Sequence, residues 1–206
     1  MESVSDPVRE RLVGAAFEQF AERGIEPVTL RVIAGHAGVG TGEITKRFGS
    51  KPGLVAEVDQ HARQLCVQAL DRVVGSLDEI VVGTVATLVI SQRFSEFLRE
   101  QPTLRRYLAR RLSSDSAAGR LFFEQVVGLV DDGLRQLRRA GLIQPDLEHE
   151  GARRMVVGMI LSPVLLADQW EHLLGVDPFD PSVAEPHEHV VHTVLARGLF
   201  AEPAGG

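Results

Sequence analysis

The sequence predicts an all-α protein. Helical periodicity and helical punctuation fill almost every segment of the 206 residues, and strand-type alternation of Val, Thr and Tyr is scarce. A glycine-rich stretch at 38–42 also separates two short helical patterns, as a helix-turn-helix requires.

The elements follow in order. Asp6-Pro7 is a cap and first position, after which Val8, Leu12, Ala15, Ala16 and Phe20 recur at spacings of three and four until Gly24 stops the helix. Thr29 caps a short helix, LRVIAGHA, that Gly38 ends, and a second short helix is expected from Thr41 to Arg47. Ser50 starts a much longer helix through Leu54, Val58, His61 and Leu65 to about Val74. Beyond Ser76 the helices lengthen. An apolar stripe covers 78–99, Pro102 opens a short basic helix ending near Ser113, and 117–140 is a helix stopped at Gly141. The pattern over 147–173 reads as one helix with Pro163 as a kink. GVDPFDPSVAEP reads as a Pro-rich loop before a last helix at 186–199. The long helix from Ser50 is shared between two parts, so a division at 52/53 into an N-terminal and a C-terminal domain is a soft one.

Composition narrows the function classes. Hydrophobic residues at 44% and charged residues at 24% are ordinary for a globular protein and favour neither disorder nor membrane insertion. The single Cys66 excludes an internal disulfide. MESVSDPVRERL has no apolar targeting core and no apolar run reaches about 20 residues, so a cytoplasmic location is expected. The net charge of −6 argues against nucleic acid until it is divided along the chain. Residues 1–52 carry seven Lys/Arg against seven Asp/Glu, and Lys46, Arg47 and Lys51 sit within six positions.

Three readings compete for GVGTGEITKRFGSK. A phosphate-binding loop needs GxxxxGK[ST] after a strand, and neither is present. A linker is disfavoured because Val39, Ile44 and Phe48 anchor one helical face. The helix-turn-helix accounts for the residues singly. Gly38 takes a positive φ, Val39 plugs the turn, and Ala34 and Ala37 are small where two helices cross. Gly40 or Thr41 caps the second helix, and Gly42 lets the backbone approach a major groove. Lys46, Arg47 and Lys51 then lie along phosphates, with the N-terminus of the long helix adding backbone N–H groups.

TLRVIAGHAGVGTGEITKRFGSKPGL resembles the DNA-binding segment of the TetR family of bacterial transcriptional regulators. The resemblance covers Thr29, Ile33, Ala34, Ala37, Gly38, Val39, Gly42, Phe48, Ser50, Lys51 and Leu54, with AAFEQFAERG upstream. It spans about the first quarter of the chain; beyond it only the helical layout and GLIQPDLEHE agree. Two positions depart: Gly40 stands where the family has Ser, and Thr45 where it has a Tyr that meets the DNA backbone. The resemblance implies a cytoplasmic homodimer that binds an operator in double-stranded DNA, most economically as a repressor. Phosphate contacts are then expected from Thr29, Arg31, Thr45, Lys46, Arg47 and Lys51, and base-edge contacts from Thr41, Gly42 and Glu43. Glu43 is suited equally to accepting from a cytosine amino group and to closing a cap at Gly40. A half-site spacing of one helical turn or a multiple of it follows from two-fold symmetry.

The resemblance further implies dimerisation and ligand binding in the C-terminal helices. Independently, MVVGMILSPVLLADQW and HVVHTVLARGLF are apolar around more of the circumference than one core face requires, which suits a four-helix interface between two copies. A cavity for a small apolar or amphipathic effector is expected among Cys66, Leu88, Phe94, Phe97, Tyr107, Phe122, Phe123, Met159 and Trp170, with Gln92, Arg93 or Gln125 orienting the ligand. Taken alone, each of these is read as core packing ahead of ligand contact.

His187, His189 and His192, with Glu185 and Glu188, have a spacing that suits zinc or nickel, but the preferred reading is a solvated helix face without metal. No nucleophile elbow, CxxC, HExxH or dinucleotide fingerprint is present, so neither an enzyme nor a cofactor is expected. Asp131-Asp132 and the pairs Arg105-Arg106 and Arg110-Arg111 read as solvated faces, the last shielding a pocket entrance. The rival reading is a TetR-like ligand- or protein-binding module without operator binding, favoured by the neutral first 52 residues and by Thr45.

Overall fold

The computed structural model describes residues 6–74, 84–139, 141 and 150–198, and among them every regular element is helical. The order is α1 (Pro7–Arg23), α2 (Leu30–His36), α3 (Thr41–Phe48), α4 (Lys51–Val74), α5 (Thr84–Glu100), α6 (Pro102–Leu112), α7 (Ala117–Arg139), α8 (Glu150–Leu165), α9 (Ala167–Leu174) and α10 (Pro181–Gly198).

Local chemistry sets most of these bounds. Asp6 Oδ1 accepts from the N–H groups of Val8 and Arg9, with Pro7 at the first position, and Gly24 ends α1 at φ +82°. Thr29 Oγ1 accepts from Val32 N–H at 3.3 Å to start α2. Gly38, at φ +66°, turns the chain out of α2 in the left-handed region that glycine enters at no steric cost. Gly40 stands at the cap of α3 without a side-chain bond. Ser50 Oγ accepts from Gly53 N–H at 3.2 Å as α4 begins.

Three expectations are corrected. The helix read across 147–173 is two helices, interrupted at Leu166, whose ψ of 15° lies off the helical value. Pro163 lies inside α8 and removes the N–H that Met159 would accept from, and Ser162 Oγ reaches that carbonyl at 3.5 Å. The last helix begins at Pro181, five residues early, because Asp180 accepts from Ser182 N–H at 3.0 Å and from its hydroxyl at 2.6 Å. Pro186, expected at its edge, is interior. The arginines of α6 are the third correction: Arg105, Arg110 and Arg111 bind other elements, and only Arg106 keeps to its own helix. Of the stripe read over 78–99, residues 78–83 lie outside the described set, as does most of GLIQPDLEHE.

α4 is the spine. It packs on α1, α3, α5, α6 and α7, while α1 also packs on α2 and α6, and α10 lies against α5. One apolar cluster runs through both parts of the chain, from Leu12, Ala16, Phe20, Ile33, Ile44 and Leu54 to Tyr107, Phe122, Val164 and Phe179. Phe17 joins the parts directly, with its ring 5.2 Å from both His61 and Tyr107. Burial beside Phe17 lowers the His61 pKa.

Candidate nucleic-acid interface and effector cavity

α2, the turn and α3 are built from the core outward. Ile33, Ala34 and Ala37 bury one side of α2, Ile44 is fully buried on α3, and Val39 packs half-buried into the turn between them. Val39 N–H bonds to the Ala34 carbonyl at 3.0 Å, which closes the turn. The opposite side of α3 is left to solvent: Thr41, Gly42, Thr45 and Lys46 are exposed, as are Thr29 and Arg31 at the start of α2.

Two glycines in this segment have different reasons to be glycine. A Cβ on Gly53 would stand 2.0 Å from the Phe48 carbonyl oxygen, so the close approach of α4 to the end of α3 requires its absence. A Cβ on Gly42 would meet nothing within 4 Å. Internal packing therefore does not select glycine there, on the outward face where a second molecule would approach.

The charges on this face are not equivalent. Arg47, expected on phosphate, is turned inward: its Nε donates to Asp6 at 2.8 Å, its Nη1 pairs with Glu43, and its side chain is 17% exposed. The Arg47 hydrogen bond holds the Asp6 carboxyl below the usual carboxylate range. Glu43 is thereby held by Arg47 and makes no side-chain cap at Gly40. Lys51 is half-buried, and its ammonium donates to the Glu26 carbonyl at 3.1 Å. Lys46 stays exposed, and among the described residues it has no ion pair.

Residues 12–58 match the family model described as bacterial regulatory proteins, tetR family. The N-terminal domain is that of the TetR family. No curated protein matches the chain. The solved structures similar to it in fold include a TetR-family transcriptional regulator from Mesorhizobium loti, at 17% identity over 97% of this chain and 100% of the other, TM-score 0.73. They also include the fatty acid degradation regulator FadR of Bacillus halodurans, at 20% identity over 95% and 98%, TM-score 0.72. FadR of Bacillus subtilis, solved in complex with stearoyl-CoA, is similar at 19% identity over 92% and 98%, TM-score 0.70. The matched segment and these neighbours give the chain the fold of TetR-family regulators, all-α with a bundle following the helix-turn-helix domain. Among the described residues no helix is long and apolar enough to cross a membrane.

A cavity of about 740 Å³ lies where the end of α1, the start of α4, α6 and the start of α7 meet. Of the expected pocket residues, Tyr107, Phe122 and Gln125 line it. Cys66, Phe94 and Phe97 pack into the core away from it, Met159 and Arg93 are half-buried elsewhere, and Gln92, Phe123 and Trp170 are exposed. The side chains of Leu88, His187 and His192 lie outside the described set, which leaves the histidine cluster undescribed.

Arg110 and Arg111, expected to shield a pocket entrance, line this cavity; the sequence reading missed Asp59, which completes its polar wall. Asp59 on α4 takes a bidentate bond from Arg111 on α6, at 2.8 Å from Nε and 2.7 Å from Nη2, and Tyr107 donates its hydroxyl to the same carboxylate at 2.7 Å. The Arg111 side chain is 4% exposed and that of Asp59 15%. Burial, reinforced by Asp59, raises the Tyr107 pKa, which keeps the hydroxyl a donor. One residue back, Arg110 donates to the carbonyls of Ala21 at 2.9 Å and Glu22 at 3.0 Å, at the end of α1. At the far end of α6, Arg105 holds Asp177 bidentately, both bonds 2.8 Å, with its guanidinium 4.4 Å above the Phe179 ring. α6 is thus tied to the DNA-binding domain, to α4 and to the segment before α10.

Proposed function

We propose that the chain is a homodimeric, ligand-responsive repressor that holds a pseudo-palindromic operator and leaves it when a small apolar or amphipathic molecule binds. The observation that carries the reading is the outward face of α3, where Thr41, Gly42, Thr45 and Lys46 stand exposed opposite the buried Ile44 and Gly42 has open space around it. Thr41 and Gly42 would meet base edges; Thr29, Arg31, Thr45, Lys46 and Lys51 would meet phosphates. Arg47 and Glu43 would act behind them, orienting α3 through Asp6. Residues 1–52 would carry the DNA contacts and 53–206 the effector and the second copy.

The second copy is supported by apolar surface. Leu166, just before α9, and Trp170, Leu173 and Leu174 on it recur at helical spacing and are all exposed, Leu173 by 71%, and Met155 on α8 and Val190 on α10 add to them. The cavity beside Tyr107, Phe122 and Gln125 is the candidate seat of the effector, and its volume is within the usual range for small-molecule sites. Fold likeness to a FadR solved with stearoyl-CoA makes acyl thioesters the first ligands to try.

The test is binding of the purified chain to its own upstream DNA, read by fluorescence anisotropy at two salt concentrations with random DNA as competitor. Specific binding that weakens with salt and with acyl thioester supports the repressor. The absence of any specific site, upstream or in a genomic pull-down, would instead favour a TetR-like binding module without an operator. The inward turn of Arg47 and the shorter Thr45 favour that second reading.

A further inference from the structure

The cavity between α1, α4, α6 and α7 has an electrostatic bias. Arg111 faces a carboxylate, Asp59, and is neutralised by it. Arg110 and Lys51, on the same wall, are not: the guanidinium donates to the Ala21 and Glu22 carbonyls and the ammonium to that of Glu26. Bonds to neutral carbonyls orient a cation but leave its charge uncompensated, and each group keeps further N–H donors. Both cations grip one segment, Ala21–Glu26, Arg110 from α6 and Lys51 from α4. Besides Asp59, Glu26 is the only acid on the wall among the described residues, so the cations Lys51, Arg110 and Arg111 outnumber the acids. Ile25, Val55, Leu121 and Phe122 supply apolar surface to the same space.

We propose that this cavity binds an amphiphilic anion, with its carboxylate, phosphate or sulfonate end held by Arg110 and Lys51 and its apolar body against Leu121 and Phe122. The inference rests on the ligand-responsive reading and names the chemistry of its effector. It also gives a route from effector to DNA. Lys51, at the start of α4, is one of the groups expected on phosphate, so an anion in the cavity competes with the operator for the same ammonium and draws on the segment leaving α1.

The test uses dodecanoate and dodecanol as probes, titrated into the full chain by calorimetry, with wild type, Arg110→Gln and Leu121→Glu compared. Circular dichroism checks that the fold is kept. Gln at 110 can still donate to the Ala21 carbonyl but carries no charge; Leu121 is 55% exposed, so glutamate there introduces negative charge without opening the core. Wild type should bind dodecanoate about tenfold more tightly than dodecanol, as one charge-assisted contact allows. Arg110→Gln should abolish that preference, and Leu121→Glu should weaken dodecanoate by about tenfold. Equal binding of acid and alcohol by wild type, no binding of either, or a preference that survives in folded Arg110→Gln would overturn the proposal. DNA binding is scored separately: a chain that binds dodecanoate as described but has no operator would refute the repressor and leave the anion site standing.

Discussion

Replacing Asp59 by alanine tests whether the α4–α6 connection is as consequential as its geometry implies. The substitution removes the bidentate partner of Arg111, whose side chain is 4% exposed, and the acceptor of the Tyr107 hydroxyl. A buried charge left without its partner costs about 3–5 kcal/mol. Asp59 lines the cavity, so solvent entering there can partly hydrate Arg111, and the lower figure applies: about 3 kcal/mol. In a chain of this size each kcal/mol moves Tm by roughly 2–4 °C, so Tm should fall by about 6–12 °C. The measurement is differential scanning calorimetry at one fixed protein concentration, because association would otherwise shift Tm by mass action. The double variant Asp59→Leu/Arg111→Met, which removes both charges, should recover most of the loss. A single variant that melts within about 3 °C of wild type, or a double variant as unstable as the single, would refute the assignment of a desolvated, mutually dependent pair.

Four further outcomes are expected. Gly42→Ala should leave Tm unchanged or raised, since alanine favours helix by up to about 1 kcal/mol, while lowering operator affinity; Gly53→Ala should lower Tm outright because its Cβ meets the Phe48 carbonyl. Lys46→Ala should reduce the slope of log affinity against log salt by about one, whereas Arg47→Ala should weaken binding with the slope unchanged, because Arg47 is occupied by Asp6 and Glu43. Asp177 titrates below its ordinary range because of Arg105, so its contribution is present above the unfolded carboxylate pKa and lost as pH falls through the lowered folded one; the Tm gap between wild type and Asp177→Asn should therefore begin to narrow below about pH 5 and keep narrowing below the ordinary aspartate pKa. Burial pushes the Cys66 thiol up to about 12, so a disulfide reagent at pH 8 should label it slowly in the folded chain and rapidly in urea.

The DNA-binding segment was legible because each of its requirements is local. A cap at Thr29, a positive φ at Gly38 and a small Ala34–Ala37 face are written within ten residues, and the structure has all three. The helix ends at Leu166 and Pro181 were harder to read, because Pro163 marks a defect without fixing where the chain bends, and Asp180 competes with two prolines as a start signal. The inward turn of Arg47 was not legible at all: its partner Asp6 lies 41 positions away on another helix, and nothing local distinguishes a lysine left in solvent from an arginine held by a distant carboxylate. The residues read as a pocket and those lining the cavity share Tyr107, Phe122 and Gln125. Periodicity assigned Cys66, Phe94 and Phe97 to an apolar interior, which is correct, but the open cavity formed where helix ends meet.

One signal in α6 was available. At about 100° per residue, Arg111 falls between Tyr107 and Leu108 on the helical wheel, on the buried face, so a solvated role for all four arginines of PTLRRYLARRL was already inconsistent with the sequence. A guanidinium on an apolar face must find a carboxylate or be expelled, and Asp59 is that carboxylate. The next step is energetic. Because Arg111 cannot leave Asp59 without a large desolvation cost, α6 and α4 must shift together, whereas Arg110 holds α1 only through carbonyl oxygens that solvent or an anion can replace. The weaker of the two adjacent grips is thus the one facing the DNA-binding domain, and it is the one an occupant of the cavity would alter first.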